Sequence, residues 1–323
     1  MRVVYFAPRG FDYLSSQLIE GLHLLSKAGE LGFYCTNRST HHGAQVDDLS
    51  TVTEEAAKHY CEGADWILFS TAGDFEFYDG IPGSVFSDDR YWKKLVFIDG
   101  HDGNDYLCDP NTVGVYLKRE LRYPEFCPLQ YSNVRSLTFG IYQFWVDMIR
   151  CRQDDWDKRD VDITFIAYGG SSDLRGQAQY VLKQLHGQKL PSGRPLNVVT
   201  NVDSGCQPLS IEEYRAALAR TKIGISIVGA GVDTLRFWET MGAGAVLCSN
   251  DITRMMYIRD MPEPHRHALY FDSWNRMLEM CVPVVSNKWQ WLRMRNATDK
   301  LIWSRHTTIN RARQLLSICE ELV

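Results

Sequence analysis

The chain has 323 residues, 45% of them hydrophobic and 23% charged, with a formal net charge of -5. That length suits two domains of roughly 150 residues each, with enough apolar material for cores that require no metal or disulfide. The mild acidity argues against a strong nucleic-acid or anionic-membrane binder, although an average can hide a local basic patch, so nucleic acid is disfavoured as a partner without being excluded.

Val3 to Ala7 reads as a short apolar strand running into the turn signal Pro8-Arg9-Gly10. Leu14, Leu18, Ile19, Leu22 and Leu25 then recur at helical spacing, with Gly29 as the stop. Thr53 to Glu62 reads as a second helix, followed by buried strands at Trp66-Ile67-Leu68-Phe69 and Leu95-Val96-Phe97-Ile98 and a further one at Val113 to Leu117. Gln153 to Asp160 is polar and charged, the candidate linker, and after it the alternation starts afresh. Ile163 to Ala167 is a strand, Tyr168-Gly169-Gly170-Ser171-Ser172 a turn, and Leu174, Ala178, Val181, Leu182 and Leu185 mark a helix ending at Gly187. Leu196 to Thr200 is a strand, and Ser210 with Glu213 has capping-box spacing at the head of a helix. Ile223 to Val228, Thr234 to Met241 and Ala245 to Cys248 read as strand, helix and strand. From about Asp299 the tail carries Ile309, Ala312, Leu316 and Cys319 at helical spacing. Strands alternating with helices predict parallel sheets covered on both faces, here two Rossmann-like domains with ligands at the carboxyl ends of the strands.

The nine cysteines (Cys35, Cys61, Cys108, Cys127, Cys151, Cys206, Cys248, Cys281 and Cys319) are spaced singly with no CxxC pair, which fits reduced thiols in a cytoplasmic protein. Met1-Arg2-Val3-Val4-Tyr5-Phe6 has no signal-peptide layout, and no segment has the apolar length of a membrane span. Asn296-Ala297-Thr298 matches a glycosylation sequon and reads as a chance match.

The segment Ile225 to Leu247 bears most on chemistry. A strand ends in Gly229-Ala230-Gly231, and Asp233 and Thr234 lead directly into a helix. Small residues admit a ligand close to the backbone, and the free N–H groups of a helix's first turn attract phosphate. Arg236 could add a bidentate contact to a diphosphate, and Glu239, three residues on, shares its face and could accept hydrogen bonds from both hydroxyls of a ribose. The residues alone leave a bland alternative open, since Gly-Ala-Gly before a helix is a weak signal and an Arg/Glu pair at this spacing is usually a solvated salt bridge.

Arg236-Phe237-Trp238-Glu239-Thr240-Met241-Gly242-Ala243-Gly244-Ala245-Val246-Leu247 resembles the donor-site helix of GT-B glycosyltransferases, and in its Arg-aromatic-Trp-Glu form that of exostosin-like and spore-maturation-type (glycosyl-transferase group 1-like) proteins. Further matches fall in order: Ile163-Thr164-Phe165 with Arg175 after its turn, Glu212-Glu213-Tyr214 before Thr221-Lys222-Ile223, and His306-Thr307-Thr308 leading to Arg311-Ala312. The resemblance covers about Asp162 to Leu316 and is weaker in the first half, at Phe11-Asp12-Tyr13, Ile98-Asp99-Gly100-His101-Asp102 and Lys118-Arg119-Glu120. It implies an α/β GT-B fold: an acceptor domain over 1–155, a nucleotide-sugar domain over 156–305, a central cleft, and a C-terminal helix over 306–323 packing back on the first domain. It implies transfer of a hexosyl or pentosyl group from a nucleotide-diphosphate sugar to the hydroxyl of a glycan or other acceptor. The donor is then a substrate, UDP- or GDP-linked, with no cofactor and no metal; Gly169, Gly170, Arg175, Gly229, Gly231, Asp233, Thr234, Arg236 and Glu239 are the expected donor-binding residues. Many retaining members carry two glutamates as E-x7-E. With Glu239 as the second, the first falls at Gly231, so the ribose contact carries over to Glu239 and a sugar contact by the first Glu does not. Retention against inversion, the sugar, the base and the oligomeric state stay open.

An inverting transferase needs a general base near the acceptor hydroxyl. Asp12 follows the first strand and serves either as that base or as a turn cap. His101, in Asp99-Gly100-His101-Asp102-Gly103-Asn104-Asp105, could act as base with Asp99 or Asp102 orienting it; the alternatives are a plain polar loop and a metal site. Catalytic expectations therefore fall on Asp12, His101 and Asp102. Asp160-Val161-Asp162 is read as an incidental DxD, Lys118 and Arg119 as possible phosphate contacts, and Trp238 and Trp303 as core. Rival functions are a nucleotide-sugar epimerase of the same fold, a non-catalytic nucleotide- or glycan-binding module, and a metal-dependent hydrolase using the His101 loop.

Overall fold

A computed structural model describes residues 1–8, 10, 12–37, 44–71, 83–103, 105–122, 131–150, 156–167, 173–201 and 209–322 of the chain. These residues form two units, Met1–Phe144 with Met256–Arg259 and His306–Val323, and Trp145–Met255 with Asp260–Arg305.

The first unit runs β1 (Arg2–Phe6), α1 (Tyr13–Lys27), β2 (Gly32–Cys35), α2 (Glu54–Cys61), β3 (Trp66–Thr71), the short helix α3 (Gly83–Phe86), β4 (Leu95–Asp99), β5 (Val115–Lys118), β6 (Val134–Ser136) and the start of α4 (Gln143–Arg150). Its strands pair in the order β2-β1-β3-β4-β5-β6, every pair parallel. All of β3 and β4 is buried, which is why both are unbroken apolar runs rather than alternating ones. Asp12 starts α1 by accepting from the backbone N–H groups of Leu14 and Ser15, and Gly29, at φ 76°, makes the turn that follows its end.

The second unit runs β7 (Val161–Phe165), α5 (Asp173–Leu185), β8 (Val198–Thr200), α6 (Ile211–Ala219), β9 (Thr221–Ser226), α7 (Leu235–Gly242), β10 (Val246–Asn250), β11 (Ala268–Phe271), α8 (Trp274–Ser286) and α9 (Lys288–Leu301). The order is β11-β10-β9-β7-β8, again parallel throughout. The capping box at the head of α6 is formed, with Ser210 and Glu213 each bonded to the other's backbone N–H. Ile163, Phe165, Ile223, Ile225, Met277 and Trp291 are among the side chains that fill this core. Asp162, fully buried, is held by Arg194 and Lys222, and the Lys222 ammonium lies 4.3 Å from the centre of the Trp156 ring. Asp160 pairs with Arg220, so both carboxylates of the DxD-like triplet serve the local structure.

A π-helical turn, Ile302–His306, follows α9 and leads into α10 (Thr308–Leu322), which packs on α1 in the first unit. The helices touch at Gly21, where an added Cβ would collide with the Thr308 carbonyl and lie 2.9 Å from the Ala312 methyl. Beside it the buried Glu20 accepts from the Thr308 hydroxyl at 2.6 Å and from the backbone of Gln143 and Gln45. Arg311 donates to the Phe139 carbonyl and bonds His306, fixing the start of the helix. No described helix is long and apolar enough to cross a membrane.

Candidate functional site

In the second sheet β7 sits between β8 and β9, so successive connections leave in opposite directions there and open a crevice at the strands' carboxyl ends. Arg175, in the first turn of α5, reaches that point and its Nη2 lies 3.5 Å from the Ile227 carbonyl beyond β9. Gly229 is what lets it fit, because a Cβ there would run into the guanidinium. The Gly229 N–H donates to the Gly231 carbonyl, and the Val228 N–H to the Asn250 side chain, fixing the turn. Thr234 caps α7 through its hydroxyl, which also bonds Ser226 at 3.0 Å, and the Asp233 carboxylate accepts the Trp238 indole N–H at 2.8 Å. Both residues therefore set the entry angle of α7.

Arg236 and Glu239 lie on the helix so positioned. The Nε of Arg236 is buried without a hydrogen-bond partner. Burial first, and then the like charge of Arg236, push the Arg175 guanidinium down to about 10. Like charges repel, and an anion bound beside both guanidinium groups would relieve the repulsion. Glu239 is 8% exposed and accepts from the Tyr214 hydroxyl at 2.8 Å. Burial raises its carboxyl above the usual range, against the opposing pull of Tyr214, Arg236 and Arg215.

In the first unit a second polar group gathers where β1, β4 and β5 end. Asp12 packs on Gly100, whose Cβ, if present, would be 3.1 Å from its Oδ1. Burial raises the Asp12 carboxyl, opposed by its two N–H bonds and by Arg119. Asp99 is fully buried, bonded by Tyr116 and Lys118 and by the His101 backbone N–H. His101 is half-buried, and its buried Nδ1 meets no hydrogen-bond partner among the described residues. Asp102 pairs with Arg119, which also lies 3.5 Å from Glu120 and stacks on Phe139.

The structure thus groups Arg175, Gly229, Gly231, Asp233, Thr234, Arg236 and Glu239 in one place, and Asp12, His101 and Asp102 in another. Gly169 and Gly170 lie outside the described residues. Asp99 touches His101 through its backbone, and Asp102 points to Arg119, so the described contacts put neither carboxylate on the imidazole. Lys118 corrects a sequence expectation: fully buried and bonded to Asp99, it is out of reach of any phosphate. Tyr214 joins the site from α6; its neighbourhood was visible in Glu212-Glu213-Tyr214, yet nothing local shows which residue of α7 the phenol meets. Trp238 is core. In the sequon, Thr298 is buried and bonded to the His267 and Met294 carbonyls within α9, which agrees with a chance match. Among the described residues no group of three or more His, Cys, Asp or Glu is placed to hold a metal ion.

Residues 177–317 match the family model described as "Glycosyl transferase-like". An alpha-glucosyltransferase in complex with UDP superposes with a TM-score of 0.61 at 12% identity, covering 99% of this chain and 100% of that one. A glycosyltransferase from Rickettsia africae ESF-5 gives 0.61 at 10% identity, with 99% and 98% covered. A sucrose-phosphate synthase from Thermosynechococcus elongatus gives 0.52 at 10%, with 100% and 99% covered. The fold is GT-B. No curated protein matches the sequence. The two polar groups just described belong one to each Rossmann-like unit, and the family match lies almost wholly on the second unit and α10.

Proposed function

We propose that this protein is a glycosyltransferase that moves a sugar from a nucleotide-diphosphate donor to an acceptor hydroxyl, with the donor bound by the second unit. The observation that carries the reading is the packing of the Arg175 guanidinium on Gly229 at the loop that opens α7, the helix that carries Arg236, so that a diphosphate bound there would meet both cations. Glu239 takes the ribose hydroxyls. The glycosyl transferase-like match over 177–317 and the GT-B fold support sugar transfer, and the Arg236-Phe237-Trp238-Glu239 run supports the exostosin-like or spore-maturation-type branch. Neighbours described with bound UDP make a uridine nucleotide the first donor to test. We assign acceptor activation to the first unit, with the half-buried His101 as base and Asp12 as the neighbouring carboxylate. The donor is a substrate, so no cofactor is required.

One neighbour is described in complex with UDP and a 13-mer DNA containing an HMU base. The net charge of -5 favours a glycan or another small hydroxyl compound over nucleic acid as the acceptor here. The cytoplasm as location belongs to the same proposal, supported by singly spaced cysteines that are free thiols wherever they are described.

The test is thermal stabilisation by UDP, GDP, dTDP and CMP and their sugar conjugates, in the native protein and in Arg236→Ala and Glu239→Ala. A ligand at 100 times its Kd stabilises the folded state by about 2.7 kcal/mol. One nucleotide should stabilise selectively, and both variants should abolish the effect. No response to any of them at millimolar concentration refutes the donor site.

A further inference from the structure

α6 carries Tyr214 against α7 so that its hydroxyl donates to Glu239 Oε2 at 2.8 Å. The ring is set by the Trp145 indole, which meets it edge-on with centroids 6.4 Å apart and planes at 89°. Arg236, on the same helix as Glu239, acts electrostatically on both the phenol and the carboxylate. A glutamate has three side-chain torsions, and ordering it costs rotamer entropy that a ligand would otherwise have to supply. Tyr214 has already ordered it: with Oε2 engaged, Oε1 is the oxygen left to meet a ligand.

We propose that Tyr214 is a positioning residue of the nucleotide site, holding Glu239 in one rotamer so that Oε1 accepts from a ribose hydroxyl and the site selects ribonucleotides over 2′-deoxyribonucleotides. This rests on the assignment of Glu239 to the ribose made above. A carboxylate fixed in a buried site discriminates strongly, because a ligand lacking the hydroxyl leaves it desolvated and unmatched. A mobile carboxylate would turn away and lose the discrimination. The Tyr214 bond and the charges of Arg236 and Arg215 oppose the upward push of burial on the Glu239 carboxyl. Burial and the Glu239 charge push the Tyr214 phenol well above its ordinary value, so it stays a donor. The groups acting on Glu239 are the neutral Tyr214 phenol and the charged Arg215 from α6 and the charged Arg236 from its own helix. Of the other packed elements, β9 turns Lys222 to Asp162, α9 turns Arg295 to Asp299, and β10 carries no titratable group but the thiol of Cys248.

Tyr214→Phe keeps the ring on Trp145 and removes the hydroxyl alone. UDP and 2′-deoxy-UDP binding would be measured by calorimetry on the full chain in the native protein, Tyr214→Phe, Glu239→Gln and the double variant. The Glu239 carboxyl would be titrated by carbon-13 NMR without ligand. Tyr214→Phe should weaken UDP about tenfold, the ordinary scale of a hydrogen bond to a charged group, and shrink the preference for UDP over its 2′-deoxy analogue. Its Glu239 midpoint should move to higher pH, and the double variant should bind UDP no more weakly than Glu239→Gln. An unchanged midpoint and an unchanged ribose preference in Tyr214→Phe, with native UDP binding lost in Glu239→Gln, overturn the role of Tyr214 and leave the donor site standing. No UDP binding by the native protein overturns both this role and a uridine donor.

Discussion

Gly21 and Gly176 are both helical glycines, and the structure predicts opposite outcomes for the same substitution. Gly21 lies inside α1 with its Cα against α10; an added Cβ would collide with the Thr308 carbonyl oxygen, 2.7 Å from its carbon. Gly176 lies on α5, exposed, and an added Cβ there would have no atom of the described residues within 4 Å. Helix propensity alone favours alanine by about 1 kcal/mol at either site. At Gly21 the obstacle is backbone, which cannot rotate away, and overpacking costs up to about 3 kcal/mol. The difference leaves Gly21→Ala destabilised by about 2 kcal/mol, or about 4–8 °C in Tm for a unit of this size. Gly176→Ala should gain about 0.5–1 kcal/mol. Thermal and urea unfolding followed by circular dichroism measures both. Stabilisation of Gly21→Ala would refute the close contact of α1 with α10, and equal gains at the two sites would reduce both to propensity.

Two further substitutions test the two polar clusters, and a third tests the buried carboxylate of β7. Lys118→Met leaves the Asp99 carboxylate buried beside Tyr116 with its cation gone, so urea unfolding should show a loss of about 3–5 kcal/mol, largely recovered in Lys118→Met with Asp99→Asn. Gly229→Ala should weaken nucleotide binding about tenfold by displacing the Arg175 guanidinium from Ile227, with unfolding unchanged because the displaced group is the end of a flexible side chain; calorimetry reads the first and urea the second. For Asp162, burial acts upward, but bonds from Arg194, the Asn197 N–H and Lys222 prevail and hold its carboxyl below the usual range. The stability it supplies is therefore complete above the unfolded value of about 3.9 and is lost as pH falls through the lower folded value, so Asp162→Asn should be less stable at neutral pH and flatter across the acid limb. An acid limb identical to the native one would refute it.

Legibility in the sequence followed burial. Trp66-Ile67-Leu68-Phe69 and Leu95-Val96-Phe97-Ile98 are covered on both faces and leave an unbroken apolar signature. The strands β2 and β11 lie at sheet edges, four residues long, and β6 at the other edge has three with Arg135 at its middle; none was marked by pattern. In α9 the buried positions are Trp291, Met294, Arg295 and Thr298, so half of its inward stripe is polar, and α8 carries Pro283 within it. The same limit governs the site. Arg236 and Glu239 share a face by spacing alone, whereas Tyr214 joins them through the crossing of two helices, which no local pattern encodes. Asp12 read equally as cap and as catalytic group; the structure shows the cap, and places the same carboxylate against Gly100.

The two units repeat one strand order, β2-β1-β3-β4-β5 in the first and β8-β7-β9-β10-β11 in the second, so the sheets alone give them the same crevice. What separates them is the handful of residues after each strand. The second unit places Arg175 and Arg236 there; the first places Asp12 and Asp99, with Lys118 ion-paired to Asp99 and Arg119 to Asp102. Under the proposed assignment a diphosphate is favoured beside the two arginines and disfavoured beside the two carboxylates, and the division of labour between donor and acceptor halves would follow from charge at equivalent points of one scaffold. Exchanging it would take a few substitutions at strand ends and none in either core. Arg175→Glu with Arg236→Glu should accordingly abolish nucleotide binding while both units still unfold cooperatively; retained binding would place the diphosphate elsewhere.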